Sequence, residues 1–174
     1  GFTDFNIVEL PEGEKNIANG NFITDEAAVD ELSKTLKSFG GKDKFCGEIQ
    51  TTKCEHSNSV VKELVQENGN GKVLFIKHTG SELCSMVGDQ IAQKAYDNNW
   101  NGIITNGYIR DIEVIKDIPI GVYARNSYPM KTNKSIGIGQ VNVPIKINNT
   151  PISPGNWVYI DSNGWVISKS ELEL

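Results

Sequence analysis

Residues 72–106, KVLFIKHTGSELCSMVGDQIAQKAYDNNWNGIITN, contain the pattern that decides the fold. Two short apolar runs, at residues 72–77 and 103–105, have the composition of strands that are buried on both faces. Between them, residues 89–99 place apolar side chains on one face of a helix. The order strand, helix, strand predicts a parallel βαβ unit whose crossover is right-handed.

The N-terminal part predicts one helix that follows an irregular segment. Residues 1–23 show no periodicity, and we expect an N-terminal arm or loop there. Thr24 can cap a helix, and Gly40 and Gly41 are expected to end it. The apolar residues of this helix recur at spacings of three and four: Val29, Leu32, Leu36 and Phe39. Residues 24–174 are predicted to form a single domain.

The segment between that helix and the βαβ unit predicts a strand and a second helix. Residues 45–54 are rich in strand-forming residues. Ser57 or Asn58 can cap the helix that follows. Within the βαβ unit, residues 78–88 are expected to form a loop with a helical turn at 82–86.

The C-terminal half predicts a change from helices to short strands. A short helix at 112–115 and a strand at 118–123 complete the parallel layer. No helical pattern follows, and turn residues separate strand-like segments at 141–147, 157–160 and 165–167. The predicted fold class is therefore α/β, with a parallel βαβ layer and a β-rich C-terminal part.

The composition excludes several classes of protein. The 174 residues include 38% hydrophobic residues and carry a net charge of −5, which is typical of a globular domain and argues against direct nucleic-acid binding. No apolar run approaches the roughly 20 residues of a membrane helix. Three cysteines and two histidines are too few to predict a zinc site, and reduced thiols would fit a cytoplasmic protein.

Chemistry is expected beyond the carboxyl ends of the parallel strands, where the helix of the βαβ unit begins. Gly88 would let a ligand approach the backbone closely at this corner. The free amides of Asp89, Gln90 and Ile91 carry partial positive charge, so they would hold an anion such as a carboxylate. The simpler interpretation is that Asp89 only caps the helix.

Arg110 and Asp111 follow the next strand, so they should emerge at the same edge of the sheet. A guanidinium and a second carboxylate would then lie beside the predicted anion pocket. Carboxylate oxygens suit a hard cation, and the set predicts Mg²⁺-assisted chemistry on a small carboxylic acid. Alternatively, Arg110 and Asp111 are an ordinary salt-bridged pair in a loop.

An ordered series of short motifs resembles the regulator of ribonuclease activity A (RraA) family. This family includes the class II 4-hydroxy-4-methyl-2-oxoglutarate aldolases and oxaloacetate decarboxylases. The resemblance runs from about Phe39 to the C-terminus and rests on the series, since no single member is specific. The motifs are Phe39-Gly40-Gly41, Phe45 with Gly47, Asn68-Gly69-Asn70-Gly71-Lys72-Val73-Leu74, Gly88-Asp89-Gln90-Ile91-Ala92, Trp100-Asn101-Gly102-Ile103-Ile104, Asn106-Gly107 with Arg110-Asp111, Pro154-Gly155 with Trp157, and Asp161 with Gly164.

The resemblance implies a swivelling β/β/α fold and a homotrimer, or a hexamer of two trimers. It implies that Arg110 contacts the oxygen of a 2-oxo acid substrate and that Asp111 is the direct ligand of Mg²⁺ or Mn²⁺. The loop formed by Gly88, Asp89, Gln90 and Ile91 would hold the substrate carboxylate, and Asp89 would organise a metal-bound water. The catalytic roles therefore fall to Arg110 and Asp89.

The chemistry implied by these roles is consistent. Cleavage of a C–C bond beside a ketone leaves a pyruvate enolate, whose charge a divalent cation and Arg110 would stabilise. Asp89, acting through water, could deliver or remove the proton. Retro-aldol cleavage and oxaloacetate decarboxylation share this enolate, so one site can serve both reactions.

The alternative function is regulation of RNA processing. Short members of the family include inhibitors of ribonuclease E, and an acidic surface could compete for a basic region of a ribonuclease or helicase partner. The chain ends at Leu174, without the C-terminal helical segment of long aldolases, and its length is expected to favour this alternative. Arg110 and Asp111 favour the enzyme. A methyltransferase is not expected, because the sequence has no glycine-rich loop for a nucleoside cofactor.

Overall fold

The described part of the chain contains one large sheet, two smaller sheets and three complete helices, and residues 34–35 are also helical. The computed structural model describes residues 34–80, 83–132 and 139–173. The helices are α1 (Ser59–Leu64), α2 (Asp89–Asp97) and α3 (Ile112–Ile115). The strands are β1 (Lys37–Ser38), β2 (Phe45–Cys54), β3 (Val73–His78), β4 (Ser85–Val87), β5 (Gly102–Thr105), β6 (Tyr108–Ile109), β7 (Gly121–Ala124), β8 (Asn126–Ser127), β9 (Gly139–Val141), β10 (Ile145–Ile147), β11 (Thr150–Ile152), β12 (Trp157–Asp161) and β13 (Gly164–Ser168).

The large sheet has a parallel centre and antiparallel margins. Its order is β1-β7-β5-β3-β2-β12-β13, and β9 also pairs with β2. The pairs β2–β3, β3–β5 and β5–β7 are parallel, whereas β1, β9, β12 and β13 run antiparallel to their partners. The predicted βαβ unit is therefore confirmed, because β3 and β5 are parallel neighbours that α2 separates in the chain.

Two smaller sheets extend this framework. Strands β4, β6 and β8 form a parallel sheet, and β10 and β11 form an antiparallel hairpin. The hairpin turns at Asn148 and Asn149, whose φ angles are 48° and 68°. Asparagine tolerates these left-handed angles, which the favoured two-residue hairpin turns require.

The large sheet carries an apolar core on each face. Leu74 and Ile76 of β3 pack on the side that also holds the buried residues of α1, α2 and α3, and we call this side the helix face. Val73 and Phe75 pack on the opposite side with Ile145 and other residues of the β10–β11 hairpin, and we call it the hairpin face. Side chains of a strand alternate between faces, so each strand of the centre contributes to both cores.

The α/β class, with its parallel layer and β-rich C-terminal part, is confirmed. The helix predicted at 112–115 is α3, and the strand predicted at 45–54 is β2. Within the described residues, strands β9 to β13 follow one another without a helix between them. No helix in the described ranges is long and apolar enough to span a membrane.

Two N-terminal predictions lie outside the described residues. These are the arm at residues 1–23 and the first part of the following helix, residues 24–33.

Residues 34–35 of that predicted helix are helical, but its predicted end is wrong. Lys37–Ser38 is strand β1, which pairs with the edge strand β7. Leu36 packs in the core of the hairpin face, whereas Phe39 packs against the core of the helix face. In extended backbone, residues three apart point to opposite faces. The spacing of Leu36 and Phe39 resembles one face of a helix, but in this extended segment the two side chains pack in two separate cores.

The helical turn predicted at 82–86 is also wrong where the structure describes it. Ser85–Val87 is strand β4, and the amide of Ser85 donates a hydrogen bond to the carbonyl of Met130 at 2.8 Å. A segment of three residues is too short to show a period of its own. Its conformation depends on partners that lie far away in the chain.

Candidate active site

Two parallel strands of the small sheet end side by side at the candidate site. Strand β4 ends just before Gly88, and strand β6 ends just before Arg110. Their register pairs Val87 with Ile109, and the amide of Arg110 donates to the carbonyl of Val87 at 3.0 Å. The segments that begin at Gly88 and at Arg110, which were predicted to share a site, are therefore neighbours. The pairing of β4 with β6 brings them together.

The carboxylate of Asp111 lies at the centre of this arrangement. Its Oδ2 is 3.5 Å from Nη1 of Arg110 and accepts a hydrogen bond from the amide of Asp89 at 3.3 Å. The side chains of Arg110 and Asp111 are 32% and 31% exposed. No hydrogen bond from the described residues reaches Oδ1 of Asp111, so this oxygen is open to a ligand.

The backbone of Asp111 has a conformation that few residues adopt. Its φ of 59° and ψ of 37° are left-handed, and it immediately precedes α3. Its carbonyl accepts hydrogen bonds from the amides of Val114 and Ile115, both at 3.0 Å. Asp and Asn tolerate this conformation better than most residues, and such angles often persist at functional sites.

Gly88 lies next to the Arg110–Asp111 pair, where there is no room for a larger side chain. Its backbone is extended, with φ −118° and ψ −174°, which any residue can adopt. A Cβ atom at this position would lie 2.9 Å from Oδ2 of Asp111 and 3.3 Å from Nε of Arg110. The position therefore needs glycine for space and not for conformational freedom.

The first turn of α2 faces the same pair. Gly88 is the residue that caps the helix and Asp89 is its first helical residue, so the interpretation of Asp89 as the cap is wrong. The amide of Asp89 already donates to Asp111, whereas amides in a first turn have no acceptor within their own helix. Gln90 is exposed and Ile91 is buried in the helix-face core, so Ile91 offers only its backbone to a ligand.

Two asparagines hold the strands that lead to the site, and neither role was predicted. Asn58 precedes α1, but its buried side chain caps nothing. It donates from Nδ2 to the carbonyl of Met86 at 3.0 Å and accepts a hydrogen bond from the hydroxyl of Thr132 at 3.0 Å.

Asn106 joins the ends of β3 and β5. Its Oδ1 accepts from the amide of His78 at 2.8 Å, and its Nδ2 donates to the carbonyl of His78 at 3.0 Å. Asn58 and Asn106 each bind a backbone group 28 residues away, and no local pattern in a sequence signals such a bond.

Histidine and cysteine side chains lie near this edge of the sheet without forming a metal-ligand set. The rings of His56 and His78 are 5.8 Å apart, and Sγ of Cys84 is 3.9 Å from Nε2 of His78. Burial lowers the pKa of His78, and its electrostatic interaction with His56 adds to this effect. Among the residues that the structure describes, no three His, Cys, Asp or Glu side chains are placed to hold a metal ion together.

Comparisons with known proteins identify close relatives. Residues 22–167 match the model of the RraA-like family, described as Aldolase/RraA. A Pseudomonas fluorescens protein named "Putative 4-hydroxy-4-methyl-2-oxoglutarate aldolase" is 44% identical over 146 residues, which cover 84% of this chain and 89% of the relative. A Shewanella oneidensis protein of the same name is 45% identical over 143 residues, which cover 82% of this chain and 87% of the relative.

Solved structures with the same fold agree with this assignment. The RNA-processing inhibitor RraA from Thermus thermophilus has a TM-score of 0.77 and 31% identity, covering 81% of this chain and 85% of that chain. A Geobacillus kaustophilus protein described as an S-adenosylmethionine:2-dimethylmenaquinone methyltransferase has a TM-score of 0.74 and 32% identity. The match covers 84% of this chain and 94% of that chain. The chain belongs to the RraA-like family.

Proposed function

We propose that this protein is a divalent-metal-dependent lyase that cleaves a C–C bond of small 2-oxo acids through a pyruvate enolate. It would act as a 4-hydroxy-4-methyl-2-oxoglutarate aldolase, an oxaloacetate decarboxylase or both. The observation that carries the proposal is the position of Arg110 and Asp111 against the first turn of α2. Relatives that are 44% and 45% identical and carry the aldolase name support it.

The length of the chain does not argue against this function. The matched regions cover 89% and 87% of the two relatives that carry the aldolase name. Those proteins therefore have little sequence outside the region that they share with this chain.

The substrate would bind through its negative charge. The amides of Gln90 and Ile91 lie at the start of α2, where the helix dipole favours an anion. The side chain of Arg110 is about one third exposed, and its guanidinium provides a positive charge next to them. Together these groups would bind the carboxylate and the keto oxygen of a 2-oxo acid.

Asp111 is the residue that would hold Mg²⁺ or Mn²⁺. Its carboxylate fits this role because it is an oxygen donor, it is about one third exposed, and its Oδ1 accepts no hydrogen bond from the described residues. When bound there, the cation would supply Lewis-acid stabilisation of negative charge on the substrate oxygens.

Arg110 and Asp89 would carry the remaining chemistry. Arg110 would stabilise the oxygen that becomes negative as the C–C bond breaks. Asp89 is the first residue of α2 and is partly exposed, so water can reach its carboxylate. It would hold or transfer the proton through that water.

Pyruvate release from oxaloacetate tests this function. Asp111→Asn removes the charge but keeps a residue that tolerates the left-handed backbone, so it is a sharper variant than Asp111→Ala. We expect wild-type turnover that EDTA abolishes and that Asp111→Asn lowers by at least about a hundredfold. Asp117→Asn, at an exposed position just after α3, should match the wild type. Reactions without protein correct for decarboxylation by free cations.

Two results would contradict the proposal. One is turnover that EDTA does not affect, and the other is an Asp111→Asn variant that matches the wild type. Circular dichroism melting curves of each variant separate a loss of chemistry from a loss of folding.

A second candidate function is inhibition of ribonuclease E-type RNA processing. The observation that favours it is the likeness to the Thermus thermophilus RNA-processing inhibitor, together with the net charge of −5. An RNA-cleavage assay with added protein tests it. Under this function Asp111→Asn would inhibit as strongly as the wild type, so the same variant separates the two candidates.

A further inference from the structure

A cavity of about 430 Å³ lies between the hairpin face of the large sheet and the β10–β11 hairpin. Three lysines line it, namely Lys53 of β2, Lys77 of β3 and Lys146 of β10. The hydroxyl residues Thr79 and Ser153 also line it. The remaining wall is apolar and comes mainly from the hairpin. Lys146 lies between Ile145 and Ile147, which are buried in the core, so its ammonium group points away from the sheet. The two ammonium groups that share the hairpin face beside the cavity are therefore those of Lys53 and Lys77, in a chain that is acidic overall.

The lysines of β2 and β3 are direct neighbours. The parallel register pairs Lys53 with Lys77. Like charges at directly paired positions of a sheet are destabilising. In the described part of the chain, no carboxylate forms a salt bridge with Lys53, Lys77 or Lys146. This repulsion therefore has no counter-charge within the described residues.

The lowered pKa of Lys77 also indicates that its positive charge lacks a counter-charge. Partial burial lowers the pKa of its ammonium group, and the positive charge of Lys53 lowers this pKa further. Among the residues that the structure describes, no negative group offsets these two effects. A bound anion would offset both of them, since it would supply the missing counter-charge.

We propose that this cavity is a second binding site, for a small organic polyanion with two or more negative charges. The paired ammonium groups of Lys53 and Lys77 match two negative charges on one ligand, and lysine is a common partner of phosphate and carboxylate groups. The hydroxyl of Ser153 can donate a further hydrogen bond, whereas that of Thr79 already donates to the carbonyl of Cys54 at 3.2 Å. Ile145 and Ile152 would contact the apolar part of the ligand.

This site is separate from the Asp111 site. Lys77 follows Phe75 by two residues, so its side chain belongs to the hairpin face. Val87, Ile91 and Ile109, which flank Asp111, are buried in the core of the helix face. The large sheet therefore lies between the two sites. A polyanion bound at the lysines is an additional ligand and not the 2-oxo acid that reacts at Asp111.

Calorimetric titration at constant ionic strength tests the inference. Pyrophosphate and citrate are the polyanion probes, and acetate is the monoanion probe. We expect saturable binding of at least one polyanion and none of acetate. The double variant Lys53→Gln/Lys77→Gln should weaken binding by at least about tenfold, because it removes both ammonium groups that face the cavity. Tighter binding of pyrophosphate would assign a phosphate ligand, and tighter binding of citrate a polycarboxylate.

Lys169→Gln is the matched control. Lys169 is exposed just after β13 and does not line the cavity, so its loss removes one positive charge from another part of the surface and should leave binding unchanged. Asp111→Asn should also bind as the wild type does, which makes this result independent of the proposed lyase activity. The inference is overturned if neither polyanion binds, if the double variant binds as the wild type does, or if Lys169→Gln weakens binding as much as the double variant.

Discussion

At the scale of single residues, the absence of a side chain at Gly88 allows the side chains of Arg110 and Asp111 to take their observed positions. Gly88→Ala would place a methyl group 2.9 Å from Oδ2 of Asp111 and 3.3 Å from Nε of Arg110. Since the backbone is extended there, alanine fits the conformation, and only the two side chains must move. We expect kcat/KM for oxaloacetate to fall by about ten- to a hundredfold, because a displacement of about 1 Å has that effect in catalytic sites.

Thermal melting provides the control for this substitution. Both displaced side chains are about one third exposed, so they can shift into solvent at little cost. We expect the free energy of unfolding to change by less than about 1 kcal/mol. Full activity of Gly88→Ala would show that the Arg110–Asp111 pair does not need its observed position.

The buried imidazole of His78 makes the stability of the protein depend on pH. Burial is the main cause of its lowered pKa, and the charges of His56 and Lys77 act in the same direction while Glu55 opposes them. The unfolded chain therefore binds a proton more readily than the folded chain as the pH falls below the ordinary value of 6.5. We expect this part of the stability to be present above that pH and to be lost below it, at up to about 1.4 kcal/mol per pH unit.

Urea unfolding between pH 8 and pH 5 measures this dependence, and His78→Gln should flatten it. The same slope in the wild type and the variant would assign the acid sensitivity to another group.

At the scale of elements, one aromatic ring fixes the distance between three strands. Phe45 of β2 is 1% exposed, and its ring occupies the space where Cβ atoms of Gly102 in β5 and Gly121 in β7 would lie. Gly121→Ala would make the new methyl group overlap the ring. We expect a loss of about 1–3 kcal/mol in the free energy of unfolding, as in other overpacked cores.

A double-mutant cycle tests this packing. Phe45→Leu alone leaves a gap, but in the Gly121→Ala background it makes room for the methyl group. The two changes together should therefore destabilise the protein less than the sum of the single variants. Additive effects measured by urea unfolding would contradict the proposed contact.

The elements that could be predicted are those whose pattern is local. The buried run of β3, the amphipathic stripe of α2 and the turn residues of the C-terminal hairpins each identify their own structure. Strand β1 and strand β4 could not be predicted, because both consist of a few residues that pair with distant segments. The same reason explains why the bond from Asn58 to β4 was missed.

At the scale of the whole molecule, topology accounts for the part of the site that could be predicted. The sequence places Gly88 before α2 and an Arg-Asp pair after β6, and parallel connections bring such segments to one edge. The left-handed backbone of Asp111 and the lysine cavity of the hairpin face could not be predicted. Both depend on contacts between segments that are remote in the chain.

Exposed apolar side chains around the candidate site argue for assembly of several copies. Leu83, Val114 and Met130 are 52%, 51% and 60% exposed. Leu83 precedes β4, Val114 follows Asp111 by three residues, and Met130 binds the backbone of β4 through its carbonyl. Large apolar side chains that gather near one edge commonly mark an interface. We propose a homotrimer, or a hexamer of two trimers, and light scattering should give about three or six times the chain mass of 19.2 kDa.

Charge substitutions locate that interface. Val114→Glu would place a carboxylate in the contact, so we expect it to shift the protein toward the monomer, since a buried unpaired charge is costly. Val141→Glu makes the same change at an exposed position of β9, outside this region, and should leave the mass unchanged. A wild-type monomer would contradict the trimer, and a trimer in Val114→Glu would place the contact on another surface. If the monomeric variant also loses lyase activity while it still binds the polyanion, the Asp111 site depends on a neighbouring copy and the lysine cavity does not.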